Sequence, residues 1–191
     1  MSDFYSGESP SLTCGDFENE VDSAKAFDEV AEKSSLFKIW KEVTGEIIQP
    51  LSGMENKEHF RIDRILLPTE KLRGTGWNKG LIGIEIKKSH IKVGPPLSQM
   101  LDYLRCAWYG ANNVKVLLDY CFLWPLEKCG GPIASIMAQN HIGGCCLQYP
   151  PESEWHRFVF HVGEQYLIEY KLNADVVTVK NLNFGKRTGS R

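Results

Sequence analysis

Three charged side chains lie within two apolar segments of the first half of the chain. Asp63 lies in the run Arg-Ile-Asp-Arg-Ile-Leu, and Glu85 and Lys87 end the run Leu-Ile-Gly-Ile-Glu-Ile-Lys. Such apolar runs predict buried strands, and a buried strand rarely carries charge unless the charges are paired or bind a metal. These three residues are therefore the first candidates for chemistry.

The spacing of these residues predicts that they share one patch. Glu85 and Lys87 are two apart on one strand, so their side chains point to the same face. Asp63 is expected on the preceding strand, and neighbouring strands lie about 4.8 Å apart. With the two strands in register, two carboxylates and an ammonium converge, and the Ile86 carbonyl offers a further oxygen. Hard oxygen ligands of this kind, with a few waters, are what Mg²⁺ or Mn²⁺ accepts.

This patch would suit the hydrolysis of a phosphodiester. A bound ion would polarise the phosphate and lower the pKa of a water molecule, and Lys87 would orient that water or stabilise the charge of the transition state. Without a metal, two buried carboxylates that face each other are costly. The alternative is structural: Lys87 forms a salt bridge with Glu85 or Asp63 at a sheet edge, and no ion binds.

The charge of the whole chain gives no signal for nucleic acid, because the formal net charge is -2 over 191 residues. The distribution is uneven: residues 1–36 carry nine acids and two bases, whereas residues 57–92 carry nine bases and four acids. A locally basic surface suits a phosphate backbone. Within or beside this stretch, Arg73, Lys88 and His90 are predicted to contact the substrate. The alternative for each of them is an ordinary solvated loop charge.

Hydrophobic periodicity predicts alternating helices and strands over the first two thirds of the chain. The predicted elements, in chain order, are helices over 22–33 and 36–43, an edge strand over 46–51, strands over 59–67 and 81–88, a loop over 69–79 between those two strands, a helix over 98–109 and a strand over 114–124. A strand, a helix and a further strand predict a crossover onto one shared sheet. The expected fold class is α/β, with a mixed central sheet flanked by helices.

The last third predicts an antiparallel β extension of this core and contains no recognisable chemistry. Its predicted elements are a short helix over 133–139 and strands over 143–149, 155–162, 165–171 and 176–179. The expected organisation is a flexible acidic leader over 1–21, a single domain over 22–184 and a basic tail over 185–191. Within that domain, residues 36–124 form the core and residues 130–184 the β-rich addition.

The cysteines predict an intracellular protein with reduced thiols. The six residues are Cys14, Cys106, Cys121, Cys129, Cys145 and Cys146. None of them forms a C-x-x-C pair or a zinc-like spacing with histidine. The chain also begins without a secretory signal and contains no apolar run fit to span a membrane. A cytoplasmic protein with buried thiols and no membrane partner is therefore expected.

In their order and spacing, the candidate residues resemble those of a known enzyme family. Asp63 followed by Glu85-x-Lys87 is similar to the motif of the PD-(D/E)XK nuclease superfamily, and Gln99-x-x-x-Tyr103 resembles the motif of its RecB-like exonuclease branch. Members of this superfamily have the order helix, three strands, helix, strand. The matching segments are residues 36–48, 46–51, 59–67, 81–88, 97–109 and 114–124.

The resemblance implies a restriction-endonuclease-like core and a role for each residue of the motif. Asp63 and Glu85 would bind the divalent ion, Lys87 would be the catalytic lysine, and Gln99 and Tyr103 would lie beside the site and help to hold the substrate or the metal ligands. Other members of the superfamily use an acid of the first helix as a further metal ligand.

Glu42 and Glu46 are the candidates for that further ligand here, and a solvated charge is the alternative for both. Ile62 stands before Asp63 where the motif has proline. The cysteine set that binds an iron–sulfur cluster in some relatives is missing, so no cluster is expected. The predicted function is metal-dependent hydrolysis of DNA, with RNA as a further substrate to consider. The alternative is an inactive nuclease fold that binds nucleic acid or protein as an accessory factor.

Overall fold

A mixed β-sheet organises the chain in the computed structural model, which describes residues 16–48, 59–110, 113–127, 131–149 and 156–180. The helices of these residues are α1 (Glu20–Ser34), α2 (Glu70–Arg73), α3 (Gly94–Tyr103) and α4 (Gly131–Gln139). The strands are β1 (Phe37–Ile47), β2 (His59–Pro68), β3 (Leu81–Ile86), β4 (Cys106–Tyr109), β5 (Lys115–Val116), β6 (Leu118–Trp124), β7 (Ile142–Gln148), β8 (Arg157–Val162), β9 (Gln165–Lys171) and β10 (Val176–Val179). Residues 1–15 of the predicted leader and the tail over 185–191 lie outside the described residues.

The ten described strands form one sheet in the order β10-β9-β8-β7-β6-β3-β2-β1-β4-β5. Strand β6 pairs in parallel with β3 on one side and with β7 on the other. The remaining pairs are antiparallel. Parallel neighbours need a crossover, and α3 and α4 lie in the connections that lead to β6 and β7. The expected α/β class with a mixed sheet is confirmed at this level.

Helix α1 forms where the first helix was predicted, and its sequence explains both ends. The Asn19 side chain accepts a hydrogen bond from the Asp22 amide at 2.9 Å, as an N-cap does. Phe27, Val30 and Ala31 are buried on one face. Ser35 ends the helix in the left-handed conformation, with φ of 55°. The helix begins at Glu20, two residues before its predicted start.

The predicted second helix over 36–43 is wrong, because these residues open strand β1. Nine residue pairs join β1 to β2, from Phe37 opposite Pro68 to Glu46 opposite His59. The apolar spacing of this short segment fits a strand as well as a helix, and pairing with β2 decides in favour of the strand. The predicted edge strand over 46–51 is also corrected: residues 46–47 continue β1 inside the sheet, and residues 49–51 lie outside the described residues.

The predicted helix over 98–109 is correct only in its first half. Helix α3 begins earlier, at Gly94, and ends at Tyr103, and residues 106–109 form β4, which pairs with β1. The Trp108 ring packs directly on Gly45, where a Cβ atom would lie 2.6 Å from the ring. This long-range contact holds residues 106–109 in the sheet, although their hydrophobic periodicity alone would continue helix α3.

Smaller differences concern where elements begin and end. Strand β3 stops at Ile86 instead of residue 88, the predicted loop over 69–79 contains α2, and the predicted strand over 114–124 is divided into β5 and β6. The C-terminal extension is antiparallel from β7 to β10. Its first strand, however, is parallel to β6, so the extension continues the same sheet instead of adding a separate layer.

Two hydrophobic clusters pack within this fold. The first includes Phe27 of α1 with Phe122 and Trp124. The second includes Met100 and Tyr103 of α3 with residues of β2, β4 and β6. The four cysteines within the described residues are buried, as predicted: Cys106, Cys121, Cys145 and Cys146. Among the described residues, no helix has the length and apolar character needed to cross a bilayer.

Candidate metal centre

The candidate centre lies where the pairing of β2 with β3 ends. The two strands pair at three positions, the last of which joins Arg64 to Ile84. The next position beyond this last pair holds Asp63 on β2 and Glu85 on β3. There the Asp63 carboxylate replaces the missing strand partner, because its Oδ2 accepts a hydrogen bond from the Ile86 amide at 2.7 Å. An acid in the middle of an apolar strand is thus held by the backbone of the neighbouring strand.

Glu85 is almost completely buried and has both oxygens engaged. Its side chain is 2% exposed, and Oε1 lies 2.6 Å from the Lys87 ammonium. Oε2 accepts a hydrogen bond from the Tyr103 hydroxyl at 2.9 Å. That hydroxyl also lies 2.8 Å from the Arg61 carbonyl oxygen and accepts a hydrogen bond from the Gln99 amide. The two residues of the predicted Gln-x-x-x-Tyr motif therefore share one face of α3 and hold Glu85 from that side.

The Lys87 backbone is fixed on both sides, although β3 has already ended. Its amide donates to the Trp124 carbonyl at 2.8 Å. Its own carbonyl accepts a hydrogen bond from the buried Ser23 hydroxyl of α1 at 2.7 Å. The ammonium reaches Glu85 and also lies 3.7 Å from Glu20 in the first turn of α1. Lys87 is thus the link between the end of β3 and the start of the first helix.

Burial shapes the electrostatics of the candidate centre. It raises the pKa of Asp63 more than the Ile86 amide and the Lys87 ammonium lower it. Burial likewise raises the pKa of Glu85, and the charge of Asp63 adds to this effect. Burial alone would lower the pKa of Lys87, but the hydrogen bond to Glu85 and the charges of the surrounding acids together outweigh burial, and the net pKa is raised. Burial and the Glu85 charge raise the pKa of Tyr103, which remains a proton donor.

The donor set fits a hard divalent cation. Two carboxylates with raised pKa lie near a single ammonium, and among the described residues no donor hydrogen-bonds to Oδ1 of Asp63. No group of three or more His, Cys, Asp or Glu side chains gathers as a ligand set in the described part of the chain. A site with two carboxylates leaves the remaining positions to water and substrate, as Mg²⁺ sites commonly do.

The structure separates the two predicted candidates for a further metal ligand. Neither is on the first helix, because both lie on β1. Glu42 is near Asp63, and its charge contributes to raising the pKa of that residue. Glu46 instead pairs with Lys115 at 2.5 Å. The acid that the first helix directs toward the candidate centre is Glu20, which sequence reasoning placed in the leader.

Three predicted substrate-binding residues are not brought to the centre by any contact within the described residues. Arg73 is an exposed residue in the last turn of α2, and Lys88 is exposed just after β3. His90 is 84% exposed and lies 3.3 Å from Asp16. It has a positive φ of 59°, which places it in a tight turn. Their predicted contacts with substrate stay predictions.

Two residues that hydrogen-bond to the backbone of the candidate centre were not predicted from the sequence. Arg64 donates a hydrogen bond from Nη1 to the Asp63 carbonyl at 2.7 Å, and Ser23 holds the Lys87 carbonyl. A charged residue next to Asp63 in an apolar strand was a visible signal for Arg64. No sequence signal distinguished Ser23 from other helical serines.

No protein-family model, no curated protein and no solved structure matches this chain. Any function is therefore inferred from the geometry of the candidate centre. Its main elements are the carboxylates of Asp63 and Glu85, the ammonium of Lys87 and the hydrogen-bonded pair Gln99 and Tyr103.

Proposed function

We propose that this protein is a Mg²⁺- or Mn²⁺-dependent nuclease that hydrolyses DNA phosphodiester bonds. One observation carries the proposal: Asp63, Glu85, Lys87 and the Gln99–Tyr103 pair lie together at the end of β3. Glu85 and Tyr103 are buried, Glu85 bonds to both Lys87 and Tyr103, and Asp63 accepts a hydrogen bond from the Ile86 amide between Glu85 and Lys87. These residues come from two strands and a helix, and the proposal gives each of them the role that the motif resemblance implies. Convergence of a whole motif is a stronger argument than any one of its residues.

The element order gives independent support for a restriction-endonuclease-like core. Helix α1, strands β1 to β3, helix α3 and strand β6 follow one another as helix, three strands, helix and strand, with the short elements α2, β4 and β5 inserted. The proposed core therefore spans residues 20–124, because its first helix is α1 and not the segment 36–48. In this frame Asp63 lies on the second strand, and Glu85 and Lys87 lie on and just after the third.

The chain supplies ligands, a cation and positioning groups for the reaction. The carboxylates of Asp63 and Glu85 would hold the ion, which supplies Lewis-acid polarisation of the phosphate and an acidified water when bound. Lys87 would place its ammonium beside the attacking water or the phosphate oxygens, where negative charge develops. Tyr103 and Gln99 would keep the Glu85 carboxylate in place while a new oxygen–phosphorus bond forms and the original ester bond breaks.

A second candidate function is a binding protein without turnover. The specific observation in its favour is the Lys87–Glu85 ion pair at 2.6 Å, which compensates one buried carboxylate without any ion. In that case the nuclease fold would serve an accessory role on nucleic acid or a protein partner. The chemistry of the site does not distinguish deoxyribose from ribose, so RNA belongs in the same assay.

The test is cleavage of labelled single-stranded and double-stranded DNA, and of RNA, with Mg²⁺, with Mn²⁺ and with chelator. Asp63→Ala and Lys87→Ala are expected to abolish cleavage. Asp102→Ala, which removes a partly exposed carboxylate next to Tyr103 on α3, is expected to retain it. Equal behaviour of the wild type and both site variants would refute catalysis at this centre. Tight binding without turnover under either ion would favour the accessory role.

A further inference from the structure

Arg64 is a buried cation beside the candidate centre, and the proposed chemistry does not use it. Its side chain is 8% exposed. Nε and Nη2 donate to the two carboxylate oxygens of Asp28 on α1, at 2.8 and 3.1 Å. Nη1 donates to the Asp63 carbonyl at 2.7 Å. One guanidinium therefore joins the first helix to the backbone of the proposed metal ligand.

The backbone of β2 is irregular at Asp63 and Arg64, where the Arg64 side chain contacts it. Ile62 and Ile65 pack into the same cluster as Tyr103, whereas Asp63 and Arg64 both line a groove of about 590 Å³ that α1 borders. Successive residues of a regular strand point to opposite faces. Because Asp63 and Arg64 are consecutive residues and both line the groove, the backbone between them must depart from regular strand geometry.

The partner strand shows the same irregularity. Pairing of β1 with β2 includes Lys41 opposite Arg64 and Val43 opposite Ile62, but the position between them is not paired. That position holds Glu42, whose φ is 53°. A non-glycine residue in the left-handed region is strained and persists only where its surroundings enforce it. Glu42 also lies 3.5 Å from Arg64, which therefore contacts both strands of the irregular position.

We propose that Arg64 is a positioning residue for Asp63. Through Asp28, it binds the irregular backbone of β2 to α1. The Asp63 carboxylate is thereby fixed where it accepts a hydrogen bond from the Ile86 amide and lies beside the charge of Glu85. The planar fork of Arg64 serves both carboxylate oxygens of Asp28 and the Asp63 carbonyl at once, whereas lysine would present one compact charge without this fixed geometry. The importance of this positioning for catalysis rests on the proposed function, whereas the positioning itself does not.

The experiment compares Arg64→Lys with Lys41→Met. The first variant keeps the positive charge but loses the fork. The second removes the other cation of Asp28, 2.6 Å away, and leaves the contact with Asp63 intact. If Arg64→Lys does not fold, the double variant Asp28→Asn/Arg64→Gln replaces it, because it leaves no buried charge unpaired. The measurements are amide hydrogen exchange at Ile86 without metal, the Mn²⁺ dissociation constant, and kcat and KM for DNA.

In Arg64→Lys, the Ile86 amide is expected to exchange at least about tenfold faster, while the Leu66 amide within the paired part of β2 keeps its protection. The Mn²⁺ dissociation constant is expected to rise about 10- to 100-fold, and kcat to fall with little change in KM. Lys41→Met is expected to match the wild type in all three measurements.

Unchanged exchange at Ile86 in Arg64→Lys would overturn the proposal, and so would faster exchange spread evenly over β2. A wild-type protein that neither binds Mn²⁺ nor cleaves DNA would refute the proposed function instead. The exchange measurement would then still decide whether Arg64 positions Asp63, because it needs neither metal nor substrate.

Discussion

Two clusters of partly buried charge meet at residues 63 and 64, and the charge balance around their carboxylates is opposite. In the first, the Asp28 carboxylate is bound by two cations, Arg64 and Lys41. Burial there would raise the pKa of Asp28, but the hydrogen bonds and charges of these two cations together outweigh burial and lower it. In the second, the carboxylates of Asp63 and Glu85 share one ammonium, and burial raises the pKa of both.

The comparison distinguishes a structural ion pair from a centre whose negative charge is only partly compensated. The protein compensates Asp28 fully with its own side chains, whereas the candidate centre keeps more negative charge than Lys87 balances. Groups with pKa values perturbed by burial and by like charge are concentrated at functional sites. Neutralising a carboxylate should therefore have opposite effects on stability in the two clusters.

The largest effect is expected when one carboxylate of each cluster is neutralised. If the proposed function is right, Asp63→Asn should lower DNA cleavage by about 10³-fold or more, because it removes a ligand of the proposed ion, whose contribution would be several kcal/mol. In metal-free protein at neutral pH it should also raise the free energy of unfolding, since a poorly compensated buried charge disappears. Cleavage assays and urea unfolding measure the two effects.

Asp28→Asn is the matched variant in the other cluster. It should lower the free energy of unfolding by about 1.5–3 kcal/mol, the usual contribution of a hydrogen bond to a charged group. Loss of stability in both variants would show that the two clusters are structural ion pairs of the same kind.

A second prediction concerns the single ammonium of the candidate centre. Lys87→Met should lower kcat by about 10²–10³-fold, as removal of a group that stabilises developing charge does. The same change should tighten Mn²⁺ binding, because Lys87 competes with the ion for Oε1 of Glu85 at 2.6 Å. Titration calorimetry measures the affinity, and Lys41→Met is the control. Weaker Mn²⁺ binding in Lys87→Met would contradict competition between the ammonium and the ion.

A third prediction concerns the hydrogen bond that holds Glu85. Tyr103→Phe should lower either Mn²⁺ affinity or kcat by about tenfold, because partners of metal ligands typically contribute 10- to 100-fold. Tyr170→Phe is a matched control, since it also removes a phenol bonded to a carboxylate, that of Asp175 at 2.8 Å. If both variants behave like the wild type, Tyr103 has only a packing role.

The smallest expected effect is the pH dependence of stability. The folded-state pKa of Asp63 and of Glu85 lies above the unfolded value, so the folded state binds more protons just above pH 4. The free energy of unfolding of metal-free protein should lose this contribution as pH rises through the raised values. Asp28 acts in the opposite sense, because its lowered pKa gives stability that is lost as pH falls through it.

Urea unfolding between pH 4 and 7 measures this dependence. Compared with the wild type, the double variant Asp63→Asn/Glu85→Gln should lose the decrease with rising pH, and Asp28→Asn should keep it. A decrease of the same size in wild type and double variant would assign it to other groups.

The sequence predicted the central elements well where pattern and length agreed. Strands β2 and β3 and helix α1 formed close to the predicted residues, since long periodic segments with turn residues at their ends leave few alternatives. The pairing of β2 with β3 was also predicted, and with it the position of Asp63 next to Glu85. The Gln99–Tyr103 pair was predicted from the motif resemblance, and its spacing of four places both residues on one helical face.

The failures occurred where short segments fit two periods. Residues 36–43 and 106–109 each became strands, because pairing of β1 with β2 and β4 supplied hydrogen bonds that a local pattern does not reveal. The error in the first segment also assigned the wrong first helix. For this reason the sequence predicts Glu42 and Glu46, and not Glu20, as candidates for the further metal ligand.

The sequence by itself determined which residue types could do chemistry here and on which strands they lie, because alternation and spacing are local properties of the chain. Only the tertiary structure decided how those residues are held. The Arg64 contact with Asp28 and the Ser23 contact with Lys87 join segments distant in sequence, and the irregular position at Asp63 involves both β1 and β2. Such contacts depend on how the sheet and its first helix pack together, and no local pattern in the chain encodes that packing.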